Sequence, residues 1–89
     1  MALTPIKTEP RFRRAYKKKP KAMRDVIDDA LRRLRVNPRD PSLGTHKIWA
    51  ARGVWAADLD RGNRLTFHWD GDTIVLRNHC NHDILDRNP

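Results

Sequence analysis

Two alternating runs joined by a tight-turn signal constrain this chain more than any other feature. Arg64-Leu65-Thr66-Phe67-His68-Trp69 and Thr73-Ile74-Val75-Leu76-Arg77 flank Asp70-Gly71-Asp72. Alternation sends successive side chains to opposite faces of a strand, and Asp-Gly between two such runs signals a two-residue hairpin loop. With Asp70-Gly71 as the loop, Trp69 faces Asp72, Phe67 faces Ile74 and Leu65 faces Leu76, while Arg64 faces Arg77 on the other surface. Like charges directly opposite one another destabilise a sheet. The arginine pair becomes favourable when an anion lies between the guanidiniums, because their forked donors match phosphate oxygens. The plainer reading is that each arginine finds a nearby carboxylate or bends into solvent.

The preceding strand registers by the same arithmetic. Trp55-Ala56-Ala57-Asp58-Leu59 leads into Asp60-Arg61-Gly62-Asn63, and a three-residue loop of Arg61-Gly62-Asn63 aligns Leu59 with Leu65, Ala57 with Phe67 and Trp55 with Trp69. One face of the three strands is then apolar, carrying Leu59, Leu65, Leu76, Phe67, Ile74, Ala57, Trp55 and Trp69. The opposite face collects Arg64, Arg77, His68, Thr66, Asp58, Asp60 and His79, a polar surface with both bases and cations. Asp60 faces Arg64 across the loop and orients it by a salt bridge.

Upstream, the pattern is helical. Leu3 to Lys7 can supply a short first strand, which Pro5 confines to an edge. Thr8-Glu9-Pro10 opens a helix with a capping candidate and a proline in its first turn, and Phe12, Ala15 and Tyr16 mark its inner stripe. Pro20 restarts the chain. From Lys21 to Val36 the residues Met23, Val26, Ile27, Ala30, Leu31 and Leu34 follow helical spacing. Asp25, Asp28 and Asp29 precede Arg32, Arg33 and Arg35, the order that the helix dipole favours. Asn37-Pro38 ends this helix and Asp40 to Gly44 form a loop. The reading is an α+β fold: a short N-terminal strand, then two helices packed on an antiparallel meander, as one domain over residues 1–89.

Charge selects the partner. Nineteen lysines and arginines against 11 acids give a formal net charge of +8, which suits a polyanion. Nucleic acid is favoured over a membrane, because the first basic stretch offers only Phe12, Ala15 and Tyr16 as an apolar face. No run approaches a transmembrane span, and the N-terminus lacks a signal peptide's apolar core, so the expected location is the cytoplasm. Cys80 is the single cysteine, consistent with a reducing compartment. A chain of this length buries only roughly 60 to 65% of its unfolded surface.

Each candidate group also has a plain explanation. Isolated histidines are usually hydrogen-bonded surface residues, and His68 is read that way. His79-Cys80-Asn81-His82 suggests zinc at first sight, but His79 and Cys80 point to opposite sides of a strand and no second ligand pair is close in sequence, so no metal is expected. Trp55 and Trp69 can stack on bases but are assigned to the core, leaving Trp49 uncommitted. The run from Arg11 to Lys21, seven cations with no acid between them, is either a solvated helix face or a contact for RNA or an acidic protein.

The order of these elements, with Asn37-Pro38, Ser42-Leu43-Gly44-Thr45-His46-Lys47-Ile48, Gly53-Val54-Trp55, Asn63-Arg64-Leu65-Thr66-Phe67 and Asn81-His82-Asp83, resembles the RelE/ParE toxin superfamily over nearly the whole chain. The histidine pattern is most similar to the YafQ and RelE branch. That resemblance implies the toxin of a type II toxin-antitoxin system, of the kind associated with plasmid stabilisation. Such a toxin is a ribosome-dependent endoribonuclease that cuts mRNA, inhibits translation and is neutralised by a cognate antitoxin.

The implied chemistry uses no cofactor and no metal. The ribose 2′-hydroxyl attacks the adjacent phosphate, so the site must remove a proton, stabilise charge at phosphorus and protonate the leaving oxygen. The resemblance assigns proton transfer to His46 and His82 and phosphate contact to Arg64. Arg77 joins through the hairpin pairing. Lys47 and Arg52 are candidates for holding RNA backbone, as are Lys17 and Lys18 from the basic helix. Asp86 stands where many relatives carry an aromatic residue. Two alternatives therefore stand beside the first reading: a ParE-like inhibitor of DNA gyrase, against which His46 and His82 argue, and a non-catalytic homologue that only binds RNA or antitoxin, which Asp86 favours.

Overall fold

The hairpin turns one residue later than its Asp-Gly signal implies, and the rest of the sheet follows from that. The computed structural model describes residues 3–48, 52–59 and 63–81, the side chains of Cys80 and Asn81 excepted. Asp70 pairs with Thr73, so the loop is Gly71-Asp72, and Gly71 takes the positive φ of 62° that only glycine adopts without strain. Moving the loop by one residue moves every partner by two. Faces are kept and partners change, so Trp69 meets Ile74 and Phe67 meets Leu76.

The elements are β1 (Ile6–Thr8), α1 (Pro10–Lys17), α2 (Lys21–Val36), a 3-10 turn at Pro41–Leu43, β2 (His46–Lys47), β3 (Val54–Asp58), β4 (Asn63–Asp70) and β5 (Thr73–Asn81). They form a sheet of order β1-β5-β4-β3-β2. The meander from β2 to β5 is antiparallel, and β1 adds to its β5 edge in parallel. Pro5 sits just before β1, at the sheet's edge, where its missing N–H costs nothing. The two-residue β2 caps the other edge, a strand that the sequence pattern did not reveal.

A bulge interrupts the central pairing. Thr66 pairs with Asn78 and Phe67 with Leu76, which leaves Arg77 as the extra residue of β5. Beyond it Leu65 faces His79 and Arg64 faces Cys80. The expected Arg64–Arg77 pairing is therefore corrected, and the like-charge contact it implied does not arise. His79 is also corrected: the bulge turns it onto the face of Leu65, where it is buried. The carbonyl of Arg77 accepts a hydrogen bond from Arg11 Nε at 3.2 Å, tying the bulge to α1.

The β3–β4 register is likewise two residues from expectation. Trp55 faces Phe67, Ala57 faces Leu65 and Asp58 faces Arg64, with the Leu59 amide donating to the Asn63 carbonyl. Asn63 belongs to β4 rather than to the loop. Because β3 ends its pairing at Val54 and His68, Trp69 overhangs with no β3 partner. It is 40% exposed, against its expected place in the core, and Trp55 is half-buried.

Helix α2 has the bounds its periodicity predicts. Its fully buried Ile27, Ala30 and Leu34 pack with Phe12 of α1 against Ala57, Leu65, Phe67, Ile74 and Leu76. Thr8 does not cap α1; its hydroxyl and carbonyl oxygens each accept from Arg13 Nη1 at 2.8 Å. The opposite sheet face is less polar than expected. Ile48, Val54 and Ala56 form a second buried cluster there, and Thr66 is fully buried beside them.

These positions separate two aromatic residues of one strand. Phe67→Ala should cost about 3 to 5 kcal/mol of unfolding free energy. Trp69→Ala should cost about 1 kcal/mol or less, as for a surface position. Urea denaturation measures both, and equal losses would return Trp69 to the core.

Candidate active site on the open sheet face

Three predicted site residues come to the face away from the helices. His46, Arg64 and Arg77 are there, while Lys17, Lys18, Lys47 and Arg52 are not grouped with them. His46 pairs with Ala56, which pairs with Thr66, so the three share that face in one cross-strand row. Its Nδ1 lies 2.8 Å from the Gly44 carbonyl oxygen. A carbonyl only accepts, so Nδ1 carries the proton and the neutral ring keeps its lone pair on Nε2. That is the nitrogen a general base requires.

Gly44 links this histidine to the arginine. It follows the 3-10 turn with φ of 55°, and a Cβ there would stand 2.5 Å from Asp58 Oδ2. Both the backbone angle and the close approach exclude a side chain. Asp58 in turn holds Arg64, with Oδ1 2.7 Å from Nε. Arg64 Nη1 donates to the Asn63 carbonyl at 3.3 Å. A guanidinium has five N–H groups, so fixing this edge leaves the remaining Nη hydrogens to meet an anion. The side chain is 19% exposed, enough to be reached and enough to be held. The salt bridge assigned to Asp60 is thus made by Asp58, because the register differs by two; Asp60 lies outside the described residues.

The loop that carries Gly44 is itself anchored. Asp40 Oδ1 accepts from the Ser42 amide at 2.9 Å and its hydroxyl at 2.8 Å, and Arg33 Nη1 donates to Ser42 Oγ at 2.8 Å. The Ser42 amide, then its hydroxyl, hold the Asp40 carboxyl below its ordinary pKa despite some burial, with Arg33 adding to the effect.

Arg77 reaches a different histidine. Its Nη1 lies 3.1 Å from His68 Nδ1. A guanidinium only donates, so His68 Nδ1 accepts and Nε2 carries the hydrogen, the opposite tautomer to His46. His68 is four residues from Arg64 along β4, roughly 13 Å at the rise of a strand. Arg64 and Arg77 therefore share a face, Arg64 held by Asp58 and Arg77 against His68.

The other expected contacts lie elsewhere. Lys47 pairs with Trp55, and its Nζ stands 5.3 Å from that ring's centroid, on the helix side of the sheet. Lys17 and Lys18 are exposed at the C-terminal end of α1, also on the helix side, and Arg52 is exposed in the turn before β3. His82, Asp83, Asp86 and Trp49 lie outside the described residues. Among the described residues no three His, Cys, Asp or Glu side chains gather into a possible metal site, and no helix is long and apolar enough to cross a membrane.

Sequence reasoning missed the role of Asp58 and Gly44, although strand alternation had already placed Asp58 on the correct face. No sequence signal joined Arg77 to His68.

The Gly44–Asp58–Arg64 contact can be tested without any ligand. Gly44→Ala and Asp58→Ala should both shift the Arg64 Nε resonance in 15N NMR spectra, and Gly44→Ala should cost about 1 kcal/mol or more through its left-handed backbone. An Arg64 Nε signal that ignores both changes would contradict the contact. Acid should loosen the same loop: the lowered Asp40 pKa contributes stability above the ordinary carboxyl value, lost as pH falls through the folded-state value. Amide exchange at Ser42 should rise there, and Asp40→Asn should remove that pH dependence.

Comparison with known proteins places the fold. No family model matches the sequence, and no curated protein matches it significantly. Solved structures do. A copper-bound mutant toxin from Helicobacter pylori has a TM-score of 0.69 at 16% identity, over 96% of this chain and 99% of that one. YafQ in the E. coli DinJ-YafQ complex gives 0.67 at 18% identity, over 90% and 94%. The YoeB dimer of Staphylococcus aureus gives 0.65 at 20% identity, over 90% and 97%. The chain has the α+β fold of the RelE, YafQ and YoeB type of toxin, the fold its sequence resembles.

Proposed function

We propose that this chain is the toxin of a type II toxin-antitoxin pair and cleaves mRNA on the ribosome by acid–base chemistry. The observation that carries the reading is the His46–Gly44–Asp58–Arg64 chain, a lone-pair imidazole nitrogen and an oriented guanidinium linked on the sheet face away from the helices. His46 Nε2 takes the proton from a ribose 2′-hydroxyl, and that oxygen attacks the adjacent phosphorus. Arg64 neutralises the charge that develops on the phosphoryl oxygens. The bond to the 5′-oxygen breaks, the departing oxygen takes a proton from His82, and a cyclic phosphate and a 5′-hydroxyl result. His68, with hydrogen on Nε2, offers a hydrogen bond to the phosphate on the same face.

Lys17, Lys18, Lys47, Arg52 and Arg77 hold RNA backbone in this reading. The DinJ-YafQ complex supports a cognate antitoxin as protein partner, and the charge of +8 suits both an acidic protein and RNA.

Induction of the wild-type chain should arrest growth and cut mRNA. Arg64→Ala should lower cleavage on the order of 100-fold or more, as loss of a charge-stabilising donor does elsewhere. His46→Ala and His82→Ala should each remove growth arrest while antitoxin binding persists. Arrest with intact mRNA and inhibited gyrase would move the assignment to the ParE-like alternative, and RNA binding without cleavage to the non-catalytic one. Binding to single-stranded RNA should also fall with salt, at a log–log slope of about −0.7 per phosphate contacted. A flat response would remove the electrostatic part of the reading.

A further inference from the structure

A groove of about 470 Å³ opens on the helix side of the sheet, beside the hairpin end of β4. Trp55, Phe67 and Trp69 form one wall and the loop from Pro38 to Thr45 forms the other. Nothing in the proposed cleavage chemistry uses it. Trp69 is 40% exposed, and its ring meets Phe67 edge-on at 6.3 Å, so part of its flat surface faces solvent. Trp69 is the exposed ring of this concave wall, with Trp55 half-buried and Phe67 buried behind it.

The polar groups around these rings indicate the occupant. Lys47 already lies over the Trp55 ring, and Arg39 is exposed on the groove's rim. Thr45 Oγ1 is buried and has no hydrogen-bond partner among the described residues, although it can both donate and accept. Asp40 is the carboxylate on the wall; its Oδ1 is occupied by Ser42, and its remaining acceptor capacity suits an exocyclic amine. An aromatic platform flanked by cations, with a hydroxyl and an acceptor at its back, matches a nucleobase attached to phosphates.

We propose that this groove binds an unstacked base of single-stranded RNA, with Trp69 as the stacking face and Arg39 and Lys47 contacting the neighbouring phosphates. The assignment rests on the reading of this chain as an RNA-acting protein. Topology provides the route. β2 is the edge strand, with His46 on the open face and Lys47 on the groove side, so RNA leaving the cleavage face crosses one thin edge to reach Trp69. Gly44 belongs to both places, since it lines the groove and abuts Asp58.

The test compares a short single-stranded RNA with an abasic RNA of equal length and equal phosphate count. Wild-type protein should bind the base-bearing strand roughly 5- to 100-fold more tightly. Trp69→Ala should erase that ratio, Trp69→Phe should keep most of it, and Arg64→Ala should weaken both strands while leaving the ratio unchanged. Circular dichroism of Trp69→Ala confirms an intact fold. A wild-type ratio near one, or a ratio unaffected by Trp69→Ala, overturns the proposal. So does a Trp69→Ala protein that keeps the ratio but no longer binds the antitoxin, which would make the groove a protein-docking surface. Absence of ribosomal mRNA cleavage with the ratio intact would instead fail the catalytic reading and leave the base site standing.

Discussion

One extra residue in β5 decides which side chains share the working face. The bulge at Arg77 lets Ile74 and Leu76 enter the core near the turn and then shifts the alternation, so that His79 turns inward opposite Leu65 and Arg64 meets Cys80. Without it Arg64 would face His79 rather than Cys80, and the remainder of β5 would present its other side. The bulge also gives Arg77 an unladdered position from which its guanidinium reaches His68, while Arg11 takes up its carbonyl.

Helix α2 was fully legible because its signal is periodic and local: six apolar positions at helical spacing, with Pro20 before and Asn37-Pro38 after. The faces of β3 and β4 were also legible, since alternation survives any shift by two. Exact partners were not. A turn placed one residue early at Asp70-Gly71 displaced the whole hairpin, and an assumed loop at Arg61 to Asn63 displaced the next. Those two shifts explain why Asp60 stood in for Asp58 and why Trp69 was assigned to the core. Bulges and positive-φ contacts such as Gly44 against Asp58 depend on distant backbone, so composition and spacing carry little trace of them.

The site was legible in its residue types and only partly in its grouping. His46 and Arg64 emerge on one face, bridged by a glycine and a carboxylate that keep each in a defined state. Two histidines in opposite tautomers, each set by a partner that can only donate or only accept, give that face both a lone-pair nitrogen and an N–H hydrogen-bond donor. Two cations of the basic run instead brace the fold, Arg13 at Thr8 and Arg11 at the Arg77 carbonyl. A high positive charge therefore overstates how many side chains remain for a ligand.

In the proposed reaction RNA is cut by its own 2′-hydroxyl at the Arg64 end of the open face. Sequencing the ends of mRNA recovered from ribosomes incubated with the purified chain tests it most directly. New 5′-hydroxyl ends paired with cyclic or 3′-phosphate ends should appear, clustered in the ribosomal decoding site and absent with Arg64→Ala. New ends carrying 5′-phosphates would contradict it, because they require attack by water instead of the 2′-hydroxyl.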